Sequence, residues 1–481
     1  MPWMGAASPL SHSLTTAEPP SPSPPCCDGW DKLGIVYIVL PVLLFFALFT
    51  RIYVAIPASL VLLVTIYRVL SIPTRTRWLG RHHIPLLLVC AALAFTLDGG
   101  TLFGQKDDWF KHYAILNALG SNPSPFSLPR LHFEDVATGS MRYTIAFYIV
   151  PALLHTLTGI SLKHATSMFV LTGLFIFFNI MREVYDSKRI YALAIFAFIF
   201  FSGADCIGMI ATNPLLIGKY QLEWWAGLLQ YSSNLTVLLW VPQHGLPAWI
   251  ICAILIKQNR FSDELIGIGP PVLFATLLWS PFITMGLVPL AVYTAVAKGR
   301  LRFDAIFFAS LLCIAAPLAA YLGSGSHAIP KEFGYLPGQL YLAFVLVEFA
   351  VFTAFLMVFS TGPDTRLLCV ATVSLLLIPL VKIGVYNDFA MRASIPSLAV
   401  TSLLLPSIVA RLNRPSRIIL AVIFVVGMIT PLAELHWSFR SDYVSSMQNT
   451  RFEEFRAMYS TKDARDILCQ YIAPVPGYLF R

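Results

Sequence analysis

The residues of this chain best suited to chemistry begin with two adjacent carboxylates, Asp107 and Asp108, in the stretch Gln105-Lys-Asp-Asp-Trp-Phe-Lys-His-Tyr113. Such a pair can take a proton from a hydroxyl, or hold a divalent cation such as Mg or Mn. Its structural alternative is to cap the helix that follows. Other polar groups recur far along the chain: His112, Gln243-His244, Lys382, and Asn387-Asp388 with Arg392. Asp388 and Arg392 are one helical turn apart, so they form either an internal ion pair or a phosphate-binding guanidinium held by its acid. Pro242 and Pro247 bracket Gln243-His244 and interrupt a helix there.

The elements that must position these groups are helices in a bilayer. The chain has 481 residues, 57% of them hydrophobic and 12% charged, with mean hydropathy +0.72. That is about half the charge of a soluble domain. Apolar runs of about 15 to 20 residues recur from Leu33 to Leu432, near the length that crosses a bilayer as helix. The expected class is an all-α polytopic membrane protein with the lipid bilayer as partner. Its net charge of +8 reports topology and gives no reason to expect nucleic acid. Carboxylates close to lipid are costly and are kept there mainly for function. Eight cysteines show no metal-ligand spacing. Residues 1–32, rich in Ser, Pro and Ala, read as a disordered tail, with no basic n-region of a cleaved signal peptide.

Five basic clusters set the orientation: Arg75/Arg77/Arg81, Arg182/Lys188/Arg189, Lys257/Arg260, Lys298/Arg300/Arg302 and Arg411/Arg414/Arg417. All five belong on the cytoplasmic side. Spans at 33–50, 52–70, 84–97, 165–181, 190–204, 243–256, 265–279, 283–297, 305–321, 341–360, 367–381, 394–410 and 418–433 satisfy them with about thirteen crossings. The segment 142–159, with Pro151 and His155, is expected to insert partly from the outer face. The organisation is then a multi-pass domain over 33–433, with an outer loop at 98–141 carrying short amphipathic helices, and a short outer tail over 434–481. The outer face collects Asp107, Asp108, His112, Asp205, Glu223-Trp224-Trp225, Gln243-His244, Trp279-Ser-Pro281, His327, Lys331-Glu332, Lys382, Asn387-Asp388 and Arg392. Among these, Trp224 and Trp225 read as interface aromatics and His327 and Lys331 as solvated. Asn234-Leu-Thr236 matches a glycosylation acceptor but falls beside a span.

An acidic pair directly after a membrane helix, followed by an aromatic run (Trp109 to Tyr113), Asn122-Pro-Ser-Pro125, Arg142-Tyr-Thr-Ile-Ala-Phe-Tyr and a basic turn at Lys188-Arg189, resembles the glycosyltransferase C superfamily of multi-pass membrane enzymes. The resemblance covers roughly residues 84–205. Two spans precede the signature helix and the C-terminal outer segment is short, both departures from the pattern. The resemblance implies transfer of a sugar from a polyprenyl-phosphate carrier to a hydroxyl of a glycan, lipid or protein on the outer (periplasmic or lumenal) face. A bacterial inner (plasma) membrane is expected ahead of an ER membrane. In that scheme Asp107 is the first choice of base and Asp108 the second; Arg392, Lys382 and His244 bind the donor phosphate. Asp388, Asn387, Gln243 and His112 support them. The alternatives are a transporter or flippase of lipid-linked sugars, which would place charges near the bilayer midplane in repeated halves, and a polysaccharide polymerase or ligase.

Overall fold

Asp28 starts the first helix. Its carboxylate accepts from the Gly29 amide, while Asp31 accepts from the Asp28 amide, a reciprocal cap. Helix α1 (Gly29–Phe49) therefore begins ahead of residue 33, and Asp31 and Lys32, expected in the tail, are buried. The computed structural model describes residues 27–74, 80, 83–97, 106–122, 124, 126–133, 137–185, 187–261, 264–324, 331–334, 338–440, 450–457 and 471–481. The rest of the expected tail, Gln105, His327 and the cluster Arg75/Arg77/Arg81 lie outside the described residues.

After α1 come α2 (Ile52–Ser71), α3 (His83–Phe95), α4 (Asp108–Gly120), the hairpin β1 (Arg130–Phe133) and β2 (Ala137–Met141), α5 (Ala146–Thr158), α6 (Leu162–Arg182), α7 (Lys188–Phe200) and α8 (Asp205–Thr212). The chain continues through α9 (Asn234–Trp240), α10 (Pro242–Arg260), α11 (Gly269–Trp279), α12 (Pro281–Ala297), α13 (Ala305–Ser310) and α14 (Ala316–Gly323), the last two joined by a π-helical turn. Strand β3 (Lys331–Phe333) precedes α15 (Gly338–Val345), α16 (Val351–Phe359) and α17 (Pro363–Leu377). Strand β4 (Val381–Ile383), α18 (Asp388–Ala393), α19 (Ile395–Val409), α20 (Arg414–Arg440), α21 (Phe452–Ala457) and β5 (Ile472–Ala473) complete it. Among the described residues nine helical runs are long and apolar enough to cross a membrane, accompanied by four shorter apolar helices. The protein is an integral, multi-pass helical membrane protein. Its helices keep internal prolines, such as Pro41, Pro57 and Pro406, because neighbouring helices can re-satisfy the freed backbone groups.

One end of the bundle is tied by buried charge. Lys257 meets Asp31 at 2.7 Å, and Arg260 grips Asp364 with two 2.8 Å bonds and donates to the Val184 carbonyl. Arg411 donates to Thr361 at the same end. These are the basic residues assigned to the cytoplasmic side. At the other end α4 packs on α5 and α21, and β1, β2 and β5 form an antiparallel sheet with Ser140 opposite Ala473.

Through that sheet, part of the segment expected as a short outer tail over 434–481 packs on the bundle. Helix α20 runs through residue 434, and Glu434 and Ser438 are buried. The last residues return to the bundle, where the Arg51 amide donates to Leu479 O and the Arg481 amide to Phe49 O. Phe480 packs against Phe45 and Tyr321. Aromatic burial of this size is what holds so short a segment down.

A second correction concerns Trp279-Ser-Pro281, expected in an outer loop. Trp279 is wholly buried and its indole donates to the Ile38 carbonyl, half-way along α1. Ser280 caps α12 from within the bundle, and Thr276 and Thr284 bond across the hairpin at 2.8 Å. The apolar helical run Ile266–Trp279 is shorter than the ~20 residues that cross a hydrocarbon layer of about 30 Å. Helix α5, with 13 residues, is about 20 Å long at about 1.5 Å per residue.

The α12 contact with α18 is a backbone-on-backbone approach. A Cβ on Gly286 would stand 2.1 Å from the Ala393 carbonyl. Gly286→Ala is expected to push α12 from α18 and lower stability by about 1–3 kcal/mol, the range for overpacking. Thermal unfolding in detergent measures it; an unchanged midpoint would show that the two helices are not in register as described.

Candidate functional site

Lys106 anchors the entry to α4. Its ammonium pairs with Glu434 at 3.0 Å, both side chains being buried, and lies over the Trp240 ring at 5.7 Å. The Trp240 indole donates to the same Glu434 carboxylate at 3.1 Å. Asp107 follows directly, is exposed, and has no side-chain hydrogen bond to α4. Partial desolvation and the adjacent Asp108 charge push its carboxyl up, against the pull of Lys106.

Asp108 behaves differently. Burial acts to raise it, but Lys111, bonded at 2.7 Å, and the Arg392 charge outweigh burial and hold its carboxyl below the usual range. Lys111, three residues along α4, is buried; burial lowers its proton affinity, and Asp108 and Tyr143 more than restore it. It stays charged. His112 does not. It is fully buried and its imidazole is pushed down to about 3 by burial first and then by the Lys111 charge. Its Nε2 lies 2.9 Å from the Trp240 carbonyl, which can only accept, so Nε2 carries the proton. Nδ1 then accepts from the Tyr148 hydroxyl at 2.6 Å. His112 is a neutral bridge between α4, α5 and α9.

Arg392 reaches this group from nearly three hundred residues away. Its guanidinium meets Asp388 at 2.6 Å, with both side chains mostly buried, and its charge acts on Asp108, Lys111, His112 and His244. The turn before α18 sets this geometry. Asn387 holds φ +56°, a left-handed conformation that asparagine tolerates, and its Nδ2 donates to Leu228 O at 3.1 Å. Tyr143 and Tyr471 close the side near Arg392, with ring centroids 4.8 Å apart. Tyr471 titrates well above a free tyrosine, chiefly through burial and then the Tyr143 neighbour.

Gln243 and His244 start α10 after the break at Val241. Both are buried; Gln243 Nε2 and His244 Nε2 are 3.4 Å apart, while Gln243 Oε1 and His244 Nδ1 have no partner. Orphaned buried polar atoms beside two cations are unfavourable unless a ligand or water satisfies them.

The structure thus brings together Asp108, His112, His244, Arg392 and Asp388, with Asp107 at the rim. It ties Lys382 elsewhere, on β4, where it pairs with Glu332 at 3.2 Å on a two-stranded ribbon. Asn387 is a scaffold residue. Asp205, Glu223 and Trp225, expected at the outer boundary, are buried and engaged: Asp205 by Ser202 and Thr430, Glu223 by Gln230 and the Ser233 amide, and the Trp225 indole by Glu348. Trp224 is 45% exposed and Lys331 is exposed. Asn234 is buried and donates to Phe198 O. Lys111, Tyr143, Tyr471 and Glu434 escaped the sequence reading; only Lys111 left a signal, its i,i+3 spacing from Asp108.

Lys111 occupies the Asp108 carboxylate, and among the described residues no group of three or more His, Cys, Asp or Glu side chains could hold a metal. What the arrangement can do is bind an anion between Lys111, Arg392 and His244 while an exposed carboxylate stands next to it. No protein-family model, curated protein or solved structure matches the chain. Fold and site define an integral membrane protein with a charged, buried site at one end of its helical bundle.

Proposed function

We propose that the protein is a membrane glycosyltransferase of the glycosyltransferase C type, moving a sugar from a polyprenyl-phosphate carrier to an acceptor hydroxyl on the outer face. The observation that carries this is the meeting of two cations from distant parts of the chain, Lys111 and Arg392, with the unpartnered His244 Nδ1 near both of them. Arg392 suits a phosphate because its planar fork is held by Asp388. The acceptor oxygen attacks the anomeric carbon, the bond from that carbon to the phosphate oxygen breaks, and the carrier phosphate leaves with the electron pair. Lys111 and Arg392 absorb its charge. Asp107 takes the acceptor's proton, since its carboxyl is exposed to an entering hydroxyl and has the higher proton affinity of the two acids.

Purified protein in liposomes, given polyprenyl-phosphate carriers with radiolabelled sugar, tests it. The expected result is release of unglycosylated carrier phosphate as label moves to an acceptor. Label that crosses the bilayer still attached to its carrier would identify a flippase instead.

A further inference from the structure

Beside the C-terminal half of α4 lies a cavity of about 1120 Å³. Ligand pockets are commonly about 300–1,000 Å³, so this one has room for several sugar rings. Its wall carries four arginines, Arg51, Arg130, Arg451 and Arg481, against the two carboxylates Glu453 and Glu454. All four arginines are exposed, and none forms an ion pair among the described residues. Glu454 is engaged instead in accepting from the Arg451 amide at 3.2 Å. Asn117, Ser121 and Ser140 add the neutral hydroxyl and amide groups that carbohydrate uses.

Placement relates this cavity to the acidic pair. Ala114, which lines it, follows Asp108 on the same helix by about 9 Å at 1.5 Å per residue. Arg51 lies between two candidate spans, α1 and α2, and so at an end of the bundle.

We propose that this cavity binds the acceptor, and that the acceptor is an anionic glycan, its sugars bearing phosphate or carboxylate groups; the proposal rests on the glycosyl-transfer reading above. Guanidinium forks recognise such groups in pairs. An acceptor held there extends its terminal hydroxyl along α4 to Asp107.

The test is calorimetric binding to the full chain in phosphatidylcholine nanodiscs. The probes are an oligogalacturonate and a neutral malto-oligosaccharide of equal length. The charged oligomer is expected to bind at least about tenfold tighter, and to weaken with added salt. The double variant Arg130→Gln, Arg451→Gln should lose about tenfold or more of that affinity, with an unchanged unfolding midpoint because both side chains are exposed. Inorganic phosphate should compete. Competition by phosphatidylglycerol in the disc, lost in the double variant, would assign the same chemistry to a lipid-anchored headgroup; its absence assigns a free glycan. Equal binding of charged and neutral oligomers, or a variant that binds as the parent does, overturns the proposal. Loss of sugar transfer in every assay, with this preference intact, would instead count against the transferase reading alone.

Discussion

Asp107→Asn is expected to lower the rate of the proposed transfer by about 100- to 10,000-fold, the range for removal of a positioned proton acceptor. The amide keeps the size of the side chain and much of its hydrogen bonding, so the loss reports proton acceptance. Donor binding is expected to change little, because in the proposed mechanism Lys111, Arg392 and His244 bind the phosphate away from Asp107. The pH profile is the second readout. The Asp107 carboxyl is raised by partial desolvation and by Asp108, so the rate climbs with pH only above the ordinary carboxylate range. Asp108, held below that range by Lys111, is already ionised there. In stability the signs are opposite. The depressed Asp108 contributes stability above the ordinary aspartate pKa, lost as pH falls through its lower folded value. The raised Asp107 contributes below that pKa and loses it as pH rises. Single-turnover transfer measured from acid to neutral pH checks this. If Asp107→Asn keeps the acid limb, and Asp108→Asn removes it, the base is Asp108; a double variant transferring at the parent rate ends the mechanism.

Arg392→Ala is expected to act first on donor binding. A charge-assisted contact of about 1.5–3 kcal/mol is lost, which is about 10- to 150-fold in Kd. The variant also strands Asp388, mostly buried, without its 2.6 Å partner, and removes a positive charge from beside Asp108. Arg392→Lys keeps the charge but not the fork, and should fall between parent and alanine. Equilibrium binding of polyprenyl phosphate in nanodiscs measures all three. A parent-like Kd for Arg392→Ala would remove the guanidinium from the phosphate site and leave the pair with Asp388 as a structural tie; Asp107 would be untouched by that result.

The residues chosen from the sequence divide by how local their partners are. Asp388 and Arg392 were readable as a pair because their partners lie one turn away. Lys111 was equally readable by its spacing from Asp108. Lys106, by contrast, is clamped by Glu434, and Lys257 by Asp31, partners hundreds of residues distant that no spacing rule connects. Trp225 looked like a headgroup-level aromatic and Trp279 like an outer-face residue, yet both indoles donate inside the bundle, one to Glu348 and one to Ile38 O.

By itself the sequence determined that this is a helical membrane protein, because a bilayer leaves the backbone no other partner than its own helix over about 20 residues. It also determined the reach of an acidic pair into an aromatic helix, and the gathering of basic residues at one end. Tertiary structure alone decided which polar residues share the site, which are buried scaffold, and that the C-terminal segment packs on one end of the bundle. The reason is physical: in lipid, positions facing protein and positions facing hydrocarbon are both apolar, so the pattern that separates them in soluble folds is absent. Only packing shows which helix faces which.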